Sequence, residues 1–264
     1  MMRKGAKCVL VCVFLLSTGL FLYRSVLARA GADGYEKAAQ IAYVPAEGAE
    51  TVYVAAEDAE TAGIVVSSER EYDSEESMEM PEFHLQALQD VNPDVLGWIS
   101  IPDTVLSYPL VQGTDNSYYL DHTWEKESGT VGAIFLDMAN ASDLSDFHCI
   151  LYGHRMLDGS MFGSLKYYKD QAYADEHPCV YLTDAEGSHC YEIFAAYETP
   201  VTGNTYKKVF SDEAEKQEFL EACTAQSVIE MGIVPGLGDK ILTMSTCTGR
   251  GYDSRWVVQA RLAD

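Results

Sequence analysis

The chain has 264 residues, enough for one or two domains, with 18 basic against 41 acidic side chains and a net charge of −23. No basic stripe exists along which a nucleic acid could lie, which speaks against nucleic acid as a partner. The acidic surplus reads as a solvated face, and among partners it favours cationic groups such as amines.

Met1–Lys7 is basic and free of acids, and Cys8–Tyr23 is an uncharged, mostly apolar run closed by Arg24. The run is short for a spanning helix of about 20 residues, although Lys7 and Arg24 can snorkel. Ala28-Arg29-Ala30 also fits a small-x-small cleavage site. A cleaved signal peptide and a retained anchor with a cytoplasmic N-terminus therefore both stand for residues 1–30. Either one places the rest of the chain outside the cell. Residues 31–80 hold 13 acidic side chains against Lys37 and Arg70, few large apolar ones, and a ten-residue repeat in two copies from Tyr43 and Tyr53. Two copies are too few for a solenoid, and this composition predicts an acidic spacer without fixed structure, with a docking segment as the alternative. The folded domain is expected over 81–264.

Glu82–Val91 reads as an amphipathic helix broken by Asn92-Pro93. Short strands follow at Gly97–Ile101 and Val105–Val111, then a helical turn at Asn116–Leu120, a strand at Gly132–Leu136 and a polar loop at Ala139–Asp146. The strand-like Cys149–Tyr152 stops at Gly153-His154, and after a polar turn Ser160 is placed to cap a helix running to Tyr168. Cys179–Thr183 and His189–Tyr197 flank Asp184-Ala185-Glu186-Gly187, a hairpin signal. Ser211–Ala225 reads as a helix capped by Ser211. Ile241–Met244 runs into Ser245-Thr246-Cys247, and after a polar, Gly-containing turn a second strand opens at Arg255-Trp256-Val257-Val258, its expected antiparallel neighbour. Many short strands with few helices predict a mainly β, closed or nearly closed barrel.

Cys247 at one strand end and Arg255 at the next strand start would share a rim of the sheet. A guanidinium there can stabilise a thiolate or a developing oxyanion. The alternative is a buried thiol beside a surface arginine; Arg250, in the turn, fits the partner role less well. His154, just past a strand end, suits general acid–base work near neutral pH. For it, as for His84, His122, His148, His177 and His189, plain hydrogen bonding is the alternative. Beyond Cys8 and Cys12, five cysteines remain (Cys149, Cys179, Cys190, Cys223, Cys247), an odd number that leaves at least one free if the rest pair internally. Cys179 and Cys190 flank the hairpin. A disulfide, a zinc site with His177 and His189 at no standard ligand spacing, and buried thiols are the three readings, with buried thiols expected and no metal or cofactor.

Several segments, in order over about Pro81–Leu262, resemble the class B sortases, cysteine transpeptidases of Gram-positive cell surfaces. They are Asn92-Pro93-Asp94-Val95-Leu96-Gly97-Trp98-Ile99, Tyr108-Pro109 with Gln112–Asn116 through Leu120, Tyr152-Gly153-His154 with Gly159-Ser160-Met161-Phe162, and Leu242–Cys247 followed by Arg255 and Val-Val. The resemblance implies an eight-stranded barrel with an N-terminal helix and an extra helix before the active-site strand. It also implies a retained single-pass membrane anchor, an extracellular catalytic domain, a monomer and no cofactor. By the same resemblance, Cys247 attacks the carbonyl after the Thr of a C-terminal sorting motif on a surface protein, forming a thioacyl intermediate. His154 protonates the leaving amine, and Arg255 stabilises the oxyanion or holds the substrate carbonyl. Ser245 and Thr246 would line the substrate end of the site, with Asn116, Leu120 and Tyr206 in the groove. A peptidoglycan cross-bridge or pilin amine would then resolve the thioester. A cysteine hydrolase using water and a non-enzymatic surface module are the rival readings, and the Cys-His-Arg set speaks against both.

Overall fold

The structure, a computed structural model, describes residues 33–44, 82–249 and 251–263. Helix α1 (residues 33–42) runs directly into β1 (Tyr43–Val44), which pairs antiparallel with β2 (Glu82–Phe83). Helix α2 (Leu85–Val91) follows, then β3 (Val95–Ser100), β4 (Ser107–Val111), β5 (Ile134–Leu136) and β6 (His148–Tyr152). After them come α3 (Gln171–Glu176), β7 (Cys179–Asp184), β8 (Gly187–Pro200), α4 (Glu213–Gln226), β9 (Ile241–Cys247) and β10 (Ser254–Leu262). Strands β3 to β10 close into an eight-stranded barrel in the order β10-β8-β7-β3-β4-β5-β6-β9. Its neighbours are antiparallel except β4–β5 and β6–β9, which are parallel.

Side-chain alternation along the strands builds two cores. Leu242 and Met244 of β9, Trp256, Val258 and Ala260 of β10, and Cys149 and Leu151 of β6 belong to the main one. The opposite faces of β9 and β10 present Ile241 and Val257 to a second core, where α4 lays Phe219, Leu220 and Cys223 against Phe194 and Tyr197 of β8. Strand β9 is thus buried on both sides. Each large apolar side chain withdrawn there stabilises the fold by about 1.5–3 kcal/mol.

The hairpin signal at 184–187 corresponds to the turn between β7 and β8. The helix expected over 211–225 is α4, capped by Asp212, which accepts from Glu215 N at 2.9 Å, rather than by Ser211. Ser211 N instead donates to Glu215 Oε2. Ser160 caps no helix. It bonds Asp158, and a 3-10 turn begins only at Ser164. The helix expected from Glu82 starts at Leu85, because Glu82 and Phe83 are taken by the ladder to β1.

The largest departure lies upstream. Residues 33–44, expected within the spacer, are helix and strand packed on the barrel. Tyr35, Ala38, Ala39 and Ala42 are buried in the main core, at i, i+3, i+4 and i+7 on one face of α1. The rest of the expected spacer, residues 31–32 and 45–80, and the apolar run at 8–23 lie outside the described residues.

The thiols of Cys179 and Cys190 are free, half-buried and diagonal across the β7–β8 ladder, with Tyr181 opposite Cys190. Burial, with a hydrogen bond that the Cys179 thiol donates to Cys190, pushes Cys179 up to about 12. Among the described residues no group of three or more His, Cys, Asp or Glu could hold a metal ion.

Candidate active site

Two ladders set the geometry. In the parallel β6–β9 pair Tyr152 stands opposite Ser245, and Gly153 N extends the ladder to Ser245 O at 3.3 Å. His154 is two residues past Tyr152, and Cys247 is two past Ser245 at the end of β9, so both lie at one rim of the sheet. In the antiparallel β9–β10 pair Arg255 is the direct partner of Cys247. Cys247 therefore sits between the chain of His154 and the chain of Arg255. Directly opposed residues share a face of an antiparallel pair. For Cys247 and Arg255 that is the outer face, which also carries Ser245 and Thr243.

His154 is half-buried, and its Nε2 lies 2.6 Å from Leu120 O. A carbonyl only accepts, so Nε2 carries the proton and Nδ1 is the nitrogen left to accept one. Glycine at 153 is dictated by close approach: a Cβ there would stand 2.7 Å from Phe162 Cδ2. Phe162 N donates to His154 O at 3.0 Å, closing the turn behind the histidine. Arg255 Nη1 donates to Tyr252 O and Ser254 O at 2.9 and 3.0 Å. Burial holds the Tyr206 phenol above its usual range, against the opposing Ser245 hydrogen bond and the Arg255 charge, with the neighbouring Cys247 adding to the rise.

The residues expected to line the groove separate. Ser245 Oγ and Tyr206 OH share a 2.9 Å hydrogen bond, so the loop before α4 is fastened to β9. Leu120 is 43% exposed beside the carbonyl that holds His154. Asn116 is half-buried and its carboxamide is occupied: Nδ2 donates to Asp137 Oδ2 at 3.1 Å, and Oδ1 accepts from Met138 N at 2.8 Å. Thr246 alternates away from Cys247, pairs with Trp256 and is 2% exposed, its Oγ1 buried without a partner. Its side chain thus belongs to the barrel interior rather than to the face of the thiol. Arg250 lies outside the described residues.

Asp137 is the residue that sequence reading missed. Its side chain is 1% exposed, and it accepts from Lys208 Nζ at 2.7 Å, Tyr152 OH at 2.9 Å, Asn116 Nδ2 and Ala139 N. Burial alone would raise its pKa; the Lys208, Ala139 and Tyr152 bonds outweigh it and hold the carboxyl below the usual range. One carboxylate thereby links the Asn116 loop, the strand leading to His154 and the loop carrying Tyr206. An acidic residue directly after the apolar Ile134-Phe135-Leu136 is the signal that could have found it.

The arrangement offers a thiol nucleophile, an imidazole and a guanidinium on one rim, the set needed for acyl transfer. A sortase-domain family model matches residues 99–263. Sortase B of Listeria monocytogenes is 36% identical over 180 residues, covering 67% of this chain and 73% of the relative. A Staphylococcus aureus sortase B–substrate complex superposes with a TM-score of 0.65 at 31% identity, covering 68% of this chain and 84% of that one. A sortase B complexed with triglycine gives a TM-score of 0.64 at 31% identity, covering 68% and 85%.

Proposed function

The chain belongs to the sortase family, as a class B cysteine transpeptidase, and from that premise we propose that Cys247 is the nucleophile, His154 the general acid–base and Arg255 the electrostatic partner. One observation carries this reading: the ladders place Cys247 between the chains of His154 and Arg255 at one barrel rim. The Cys247 thiolate attacks the carbonyl after the Thr of a C-terminal sorting motif, and Arg255 stabilises the oxyanion. His154 delivers a proton to the leaving amine as the thioacyl enzyme forms. An incoming amine then gives up a proton to His154 and displaces the thiolate, leaving a new amide.

Substrate and nucleophile follow the relatives: one structure is described as a substrate complex and another as a complex with triglycine, a peptide ending in a free amine. The partners are therefore surface proteins with a sorting motif and an amine of the peptidoglycan cross-bridge. Ser245, Tyr206, Leu120 and Asn116 border the groove. The apolar run Cys8–Tyr23, within residues 1–30, anchors the chain in the membrane with the barrel outside. A single copy suffices, since all three groups come from one rim.

The test incubates the full chain with a panel of sorting-motif peptides and amines, with mass spectrometry of products and enzyme. The expected result is a thioacyl adduct on Cys247 and amide-joined products, both lost in Cys247→Ala. Cleavage with water alone under excess amine would replace the transpeptidase with a hydrolase. An unimpaired Cys247→Ala would remove the thiol from the mechanism.

A further inference from the structure

Helix α1, which the sequence hides inside an acidic stretch, is keyed into the structure around His154. The Tyr35 hydroxyl donates to Gly132 O at 2.5 Å. Gly132 has a φ of +61°, and a Cβ there would stand 2.6 Å from Tyr119 O, 2.9 Å from Leu120 O and 3.0 Å from His154 Cδ2. Its backbone is thus the surface against which the imidazole and its carbonyl acceptor rest. The other side of Tyr35 meets Tyr108 edge-on, with ring centroids 5.2 Å apart. The Tyr108 hydroxyl accepts from Met161 N at 3.0 Å, and the next amide, Phe162 N, donates to His154 O. Tyr35, buried at 7% exposure, therefore touches both supports of the histidine: the floor under its ring and the turn that fixes its backbone. Two further contacts of α1 reach the segment before Gly132. Lys37 pairs with Glu125 at 2.8 Å, and Gly34 O accepts from Trp124 Nε1 at 3.0 Å.

We propose that Tyr35 is a positioning residue for His154, acting through Gly132 and Tyr108, so that α1 is part of the working unit of the transpeptidase. The inference rests on His154 as the general acid–base. Catalysis is sensitive to small displacements of a proton-transfer group, whereas peptide binding is not tied to that ring.

The test uses the full chain in detergent. Tyr35→Phe keeps the ring against Tyr108 and removes the donor to Gly132. The expected result is a kcat lower by about 3- to 10-fold, the scale of one buried hydrogen bond, with an unchanged KM for the sorting peptide. Carbethoxylation mapped by mass spectrometry should also quicken at His154 and not at His122. Lys37→Met, on the same helix, should leave both readouts at the parent values. Tyr108→Phe, which frees Met161 N, is a second arm should Tyr35→Phe fail to fold, with the same kcat loss expected. Equal losses in Lys37→Met and Tyr35→Phe would reduce α1 to general support and overturn the role. So would a parent kcat in both Tyr35→Phe and Tyr108→Phe while His154→Ala is inactive. A parent rate in His154→Ala would overturn the site reading and the inference together.

Discussion

His148 shows what burial does to a single side chain in this fold. It is fully buried beneath the loop carrying Tyr206, with Nδ1 2.6 Å from Lys207 O and Nε2 2.7 Å from Thr243 Oγ1. The carbonyl must accept, so Nδ1 donates and Nε2 accepts from the Thr243 hydroxyl. Thr243 in turn accepts from Gln259 Nε2 at 2.9 Å, and Gln259 Oε1 accepts from Tyr197 OH at 3.0 Å. Every donor in the row is committed, so an added proton on Nε2 meets a donor. Burial pushes His148 from 6.5 down to about 4, against the opposing pull of the Lys207 bond. Above 6.5 the ring is neutral in both folded and unfolded chains. As pH falls towards 4 only the unfolded chain gains the proton, so stability is lost across that window, on the order of 3 kcal/mol in full. Urea unfolding at pH 7 and pH 4 should show this loss, and His148→Gln should flatten it; an unchanged slope in the variant would assign the loss elsewhere. At this scale Cys247, His154 and Arg255 were legible as candidates, each standing where an apolar run meets polar residues, and the ladders bring their chains together at one rim. Asp137 and Tyr35 were not, because their roles are set by partners up to 97 residues away.

Among the elements, α4 determines how the outer face of β9 is covered. Phe219 packs against His148, Phe147 and Phe210, with ring centroids 4.8, 6.4 and 5.2 Å away. The loop entering α4 carries both Tyr206 and Lys208, fastened to Ser245 and Asp137. Phe219→Ala should destabilise the protein by about 3–5 kcal/mol in urea unfolding and raise the KM for a sorting peptide. Loss of stability with an unaltered KM would separate the second core from the groove. The strands were readable from sequence as short apolar runs bounded by turn residues, and α4 from a polar cap followed by acidic residues in its first turn. Helix α1 was not, because its buried face is three alanines and a tyrosine, small residues that vanish when a composition is averaged over 31–80. Its amphipathic spacing was present, but the partners that give it a core are residues near 108–132. The start of α2 shifted for the same reason, its first residues being claimed by β1.

For the whole molecule, the pairing of β1 with β2 changes what the acidic segment can be. Val44 is the ladder partner of Glu82, so residues 45–81 leave from and return to one place. Joining Val44 to Glu82 through Asn-Gly matches a two-residue hairpin turn and removes those 37 residues. The shortened chain should fold, gain about 2 kcal/mol from the smaller loop-closure cost, and keep its peptide-cleavage rate. A lower melting temperature would show that the segment helps hold the barrel. A segment whose two ends are clasped together adds no length between its neighbours. With the proposed anchor ending near Arg24, only residues 25–32 separate the bilayer from α1, a leash of under about 30 Å even when fully drawn out. On that reading the enzyme is stationed at the membrane face, where its substrates must come to it.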